Sequence, residues 1–148
     1  MEVSLQSGEE KSWASFDMTN FPVVNVKLSG GIRDQDDFNN FLKEWEMLNS
    51  GDPFVLNFDT RDVGWVSPKY AIKMSNFIKR IKRERNSMLS YSLIRSNSFW
   101  TKSLLRLIFS LEKPLAPVYV HNIDTSSFDS EIIRDVVDRK IGVRVYNP

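Results

Sequence analysis

Asp59 and Asp62 stand three positions apart, with Thr60 and Arg61 between them, directly after the apolar run from Phe54 to Phe58. Two carboxylates so spaced could hold a divalent ion or divide acid and base duties. If that apolar run is a central strand, they lie at its carboxyl end, where open α/β sheets bind ligands. The plainer reading is a turn, since aspartate is a common turn former and Arg61 can neutralise either acid. His121 is the sole histidine and has no serine motif beside it, so a structural or exposed role suits it better than a place in a triad. The chain has no G-x-S-x-G elbow, no G-x-x-x-x-G-K-[ST] loop and no G-x-G-x-x-G turn. With no cysteine, disulfides and thiolate chemistry are excluded, and one histidine leaves a zinc site short of ligands. The expectation is a protein that is not an enzyme and has no catalytic residue, metal or cofactor. A metal-assisted enzyme using Asp59 and Asp62 is the weakest of the three readings.

The remaining candidates for function lie just downstream. Trp65 follows the acidic pair, and Ser67 precedes Pro68, a pairing that reads as a helix start with serine as N-cap and proline at the first helical position. Ser67 is also the one candidate for phosphorylation, because helix N-terminal N–H groups would stabilise a phosphoryl charge. Lys69 and Lys73 open a basic stretch: from Lys69 to Lys113 there are 11 bases against Glu84 and Glu112. The net charge of +1 conceals this, because residues 1–62 carry 12 acids and 5 bases while residues 63–148 carry 15 bases and 7 acids. Such a face can meet an acidic protein, a phosphorylated small ligand or a lipid headgroup. It can equally be a solvated surface partly paired with the acidic first helix. Nucleic acid is not expected as a partner, since the aromatic residues fall on apolar stripes.

These residues are positioned by an alternation of strands and helices. Phe21 to Leu28 alternates as a strand, with a weaker one at Ser12 to Met18 before it. A helix follows Asp34, with Phe38, Phe41, Leu42, Trp45 and Leu48 on one stripe. The strand at Phe54 to Phe58 leads to a long helix from Ser67, whose stripe is Tyr70, Ala71, Met74, Phe77, Ile78 and Ile81. A strand at Met88 to Ile94, a helix from Ser98, a strand at Val118 to Val120, a helix after Ser126 or Ser127 and a last strand at Val143 to Tyr146 complete the order. This is an α/β pattern of about four helices on a mixed, mostly parallel sheet of four to six strands. At 148 residues and 41% apolar content one core suffices, so residues 1–148 are expected to form a single domain, with residues 1–11 as a flexible N-terminal segment. The longest apolar runs are four or five residues, short of the roughly 20 needed to cross a bilayer, and no secretion signal is visible, so a cytoplasmic setting is expected.

The element order, with the segment FVLNFDTRDVGWVSPKYAIKM from Phe54 to Met74, resembles the STAS domain of bacterial anti-sigma factor antagonists. Asp59, Val63, Trp65, Val66 and Ser67 fall at matching places, and the likeness in layout spans residues 12–121. The resemblance implies a STAS-like, non-enzymatic regulatory or signalling module that docks a protein partner near residues 59–70. Asp59, Asp62, Trp65, Ser67, Lys69 and Lys73 are then the binding residues. Lys69 stands where that family's switch serine is expected, so the phosphorylation cycle does not carry over. A homo-oligomer is a further partner, given the acidic first part and basic middle. The alternative is a small-ligand or phospholipid-headgroup binder using the basic helices at 69–113. The layout is also similar to the CRAL-TRIO lipid carriers, which would make Trp65, Phe99 or Trp100 ligand contacts.

Overall fold

The computed structural model describes residues 12–122 and 143–148, with Arg134 alone between them. The expected N-terminal segment at 1–11 and the helix expected after Ser126 lie outside the described residues. Among the described residues, six strands and three helices follow one another as β1 (Ala14–Asp17), β2 (Val23–Gly30), α1 (Gln35–Leu48), β3 (Phe54–Val63), α2 (Lys69–Glu84), β4 (Leu89–Arg95), α3 (Phe99–Leu111), β5 (Val118–His121) and β6 (Arg144–Tyr146). They form one sheet whose spatial order is the chain order, β1 to β6. The fold is α/β, and the sheet is mixed. The pairings from β2 to β5 are parallel, while β1 and β6 are antiparallel edges.

Strand order dictates the layering. Each parallel strand pairs with the next through a helical crossover, and crossovers of the usual right hand put all three helices on the same face. The burial agrees: Val24, Val26, Leu28, Phe54, Leu56, Phe58, Ile94, Val118 and Val120 share one core with Phe38, Phe41 and Trp45 of α1 and Tyr70, Phe77, Ile78 and Ile81 of α2. The opposite face carries a second, smaller cluster of Leu93 and Tyr119 with Tyr91, Val143 and Val145. Aromatic rings join the layers, with Trp13 edge-on to Phe41 at 5.3 Å and Trp45 to Phe77 at 5.4 Å between centroids.

Two helix starts are as the sequence predicts. Asp34 caps α1 by accepting the Asp37 N–H at 2.9 Å, and Ser98 caps α3 by accepting that of Thr101 at 3.3 Å. The start of α2 differs, because Pro68 rather than Ser67 holds the cap position and supplies no side-chain acceptor. Ser67 contributes instead from one residue further out, its Oγ accepting the Lys69 N–H at 3.4 Å and its carbonyl that of Tyr70 at 3.0 Å. The central strand also outruns its apolar core: β3 continues past Asp59 to Val63, because Thr60 turns inward and donates to the Arg95 carbonyl at 2.7 Å.

Asp37 fastens the edge of the sheet to the helical layer. It is buried, and its carboxylate accepts the Trp13 N–H at 3.0 Å and the Arg33 N–H at 3.3 Å. Asp37→Ala strands both donors and is expected to lower unfolding free energy by about 2 kcal/mol in urea titrations. At the other end of the fold, Arg85 ends α2 with φ 54°, a left-handed conformation that favours glycine. Arg85→Gly is expected to raise stability by about 1 kcal/mol in the same measurement.

Candidate functional site at the carboxyl end of the sheet

The loops that leave the parallel strands gather at one end of the sheet. There the β2–α1 and β3–α2 loops touch backbone to backbone. Gly64 donates its N–H to the Gly30 carbonyl at 2.9 Å, Gly30 has φ +71°, and a Cβ on Gly31 would meet the Trp65 carbonyl at 3.2 Å. Glycine is required at Gly30 by the positive φ and favoured at Gly31 by the close approach. With Gly64 clasped on one side and Val66 buried on the other, Trp65 is turned outward and is 67% exposed. It stacks on Trp100 at the start of α3, with ring centroids 6.3 Å apart and planes within 13°. Phe99, 79% exposed, and Ile72, 53% exposed, extend the apolar character along the starts of α3 and α2. Lys69 and Lys102 lie exposed in the first turns of those same helices.

Asp59 and Asp62 occupy a different place. Asp59 accepts two bonds from the Arg61 guanidinium, at 3.0 and 2.8 Å, and one from its backbone N–H at 3.1 Å. Lys27 reaches across from β2 to Asp62 at 3.1 Å. The Arg61 hydrogen bonds are the main cause that holds the Asp59 carboxyl down to about 2, with the charge of Lys27 adding to them. Asp59 therefore stays ionised at neutral pH and is unsuited to act as a general acid. Each carboxylate has a base of its own, which favours structural pairing over metal ligation. Among the described residues no group of three or more metal-binding side chains comes together.

The six residues singled out in the sequence thus do not form one constellation. Asp59 and Asp62 belong to this ion cluster at the ends of β2 and β3, while Trp65, Ser67 and Lys69 border the α2 start. Lys73 shares the helical stripe of Phe77 and Arg80, which touch α1 through Trp45 and Glu46. The basic middle of the chain is partly neutralised. Arg80 forms a two-pronged pair with Glu46 at 2.9 Å, and Lys82 meets Glu112 at 2.8 Å. These contacts lower the Glu46 and Glu112 carboxyl pKa values, chiefly through the hydrogen bonds from Arg80 and Lys82.

Two cavities were not foreseen. One, of about 140 Å³, lies between the sheet and the helices, bounded by Trp13 and Trp45, by Ala71 and Met74 of α2 and by Leu104 and Leu105 of α3. Interiors are normally close-packed, so an apolar space of this size between sheet and helices stands out. The other, of about 230 Å³, lies between α3 and the β5–β6 edge and is lined by Lys102, Arg106, His121 and Arg144. Lys102 and Arg106 are four apart on a predicted helix and so visible as a pair, but the approach of Arg144 depends on β6 pairing with β5.

Asp59→Asn tests the ion cluster. The Asp59 carboxyl lies at about 2 when folded against an ordinary 3.8, so the unfolded chain binds more protons between those values. Its stabilising effect is complete above pH 3.8 and is lost as pH falls through about 2. Because solvent screens the pair, the variant is expected to lose about 1 kcal/mol at most at pH 7, with a flatter acid limb, in urea midpoints measured against pH.

No protein-family model matches the chain, and no curated protein matches it in sequence.

Proposed function

We propose that this protein is a non-enzymatic, STAS-like binding module that docks a partner protein on the aromatic and basic surface at the carboxyl end of its sheet. The observation that carries the reading is the outward Trp65–Trp100 stack. A tryptophan 67% exposed gains little from folding, yet its backbone is held by the Gly30–Gly64 clasp and the buried Val66. Exposed aromatic side chains held in place in this way make good interface anchors, because little entropy is lost when they are covered. Phe99 and Ile72 widen the apolar centre, and Lys69 and Lys102 supply a basic rim suited to an acidic partner.

Asp59 and Asp62 contribute indirectly in this reading, by fixing the end of β3 from which the Trp65 loop departs. Ser67 lies half-buried between the clasp and the first turn of α2. A phosphoryl group there would meet the α2 N-terminus and Lys69 and would change the charge of the docking surface. That makes Ser67 the natural place for regulation, even though Lys69 follows two positions later where the resembled family carries its switch.

Quantitative pull-down from the native host tests the proposal. Trp65→Ala and Phe99→Ala are each expected to reduce recovery of the partner by about tenfold or more, with urea midpoints within about 0.5 kcal/mol of the parent. Charge reversal at Lys69 and Lys102 should weaken capture and its salt dependence together. Undiminished capture by all of these variants would overturn the assignment.

A further inference from the structure

The basic cleft and the apolar cavity occupy the same layer, between α3 and the sheet. Arg144 pairs in register with Val120, so it projects to the helix side as Val120 does, beneath α3. Lys102 and Arg106, one turn apart, come down on it from α3. Among the described residues none of these three bases forms an ion pair, and no carboxylate lines the cleft. Three cations that converge with no acid among the described residues give this cleft a local excess of positive charge, which an anion would neutralise.

Behind the cleft the lining becomes apolar. Leu105 lines both spaces, so the basic cleft and the 140 Å³ cavity adjoin at this residue. A cavity of this order holds a benzene-sized group. Three residues around it, Trp13, Trp45 and Thr101, carry buried polar atoms (Nε1, Nε1 and Oγ1) with no hydrogen-bond partner. α3 covers the cavity with partly buried side chains: Thr101 is the only buried residue of the helix, while Leu104, Leu105, Ile108 and Phe109 pack against the core without being fully enclosed.

We infer that cleft and cavity together form one binding site for a small apolar acid. Its anionic head lies among Lys102, Arg106 and Arg144, and its apolar body, about the size of a phenyl ring, passes Leu105 into the cavity. The site shares Lys102 with the rim of the Trp65 surface but does not depend on the docking proposal, because Arg106, Arg144 and the cavity lie outside that surface.

Calorimetric titration and thermal shift with 3-phenylpropionate, its neutral analogue 3-phenylpropanol and inorganic phosphate test the assignment on the full chain. The acid should bind and raise the melting temperature, the alcohol should bind about tenfold or more weaker, and phosphate alone should bind weaker than the acid. Arg106→Ala with Arg144→Ala should bring the acid down to the level of the alcohol. Leu105→Trp, which fills the passage, should abolish the difference between the acid and phosphate. Equal binding of acid and alcohol, phosphate binding as tight as the acid, or no binding of the acid would each overturn the assignment. Should Leu105→Trp fail to fold, the arginine pair and the three probes decide it unaided.

Discussion

The organisation of this molecule depends on one topological constraint, the in-order parallel pairing of β2 to β5. Strands that neighbour one another in sequence and in space, joined by right-handed crossovers, send α1, α2 and α3 to the same side. That side then has to supply the core, and its aromatic content follows: Trp13, Phe38, Phe41, Trp45, Phe58, Tyr70 and Phe77 fill the space between α1, α2 and the sheet. The same constraint brings the loops after β2, β3 and β4 to one end. The Gly30–Gly64 clasp, the exposed Trp65 and the starts of α2 and α3 meet there for that reason.

One-sided covering also explains why the polar groups of the sheet lie where they do. On the side without the described helices, registered neighbours form transverse rows: Asn25, Asn57, Leu93 and Tyr119 in one, and Lys27, Asp59, Arg95 and His121 in the next. Asn57 donates to Asn25 at 3.0 Å within the first row, and Asp59 is held ionised within the second. The Asp59 and Asp62 carboxylates, which in the sequence look like candidates for chemistry, are thereby absorbed into the architecture. Their chemical capacity is used on Arg61 and Lys27.

The element order was legible because each element is locally consistent. The stripe Phe38, Phe41 and Trp45 has helical period behind a capping Asp34, and Val24, Val26 and Leu28 alternate before a glycine pair. The misreadings have local causes as well. Ser67 and Pro68 carry a start signal displaced by one residue, and β3 outlasts its apolar run because Thr60 finds the Arg95 carbonyl 35 positions away. Trp65 could be named from the sequence as a candidate, but its exposure could not, since an aromatic residue beside an apolar pair is more often core. The cleft was hidden most completely. Lys102 and Arg106 are local neighbours, whereas Arg144 joins them only through the β5–β6 pairing.

The central claim is that binding takes place at the carboxyl end of the sheet, over Trp65 and the starts of α2 and α3. Hydrogen–deuterium exchange of the protein alone and in complex with its captured partner tests it most directly. The account predicts slowed exchange at residues 64–73 and 98–103, with the β1–β2 turn at residues 18–22 unchanged. Protection confined to that turn, or to residues 25–27 and 57–61 on the opposite face, would contradict it.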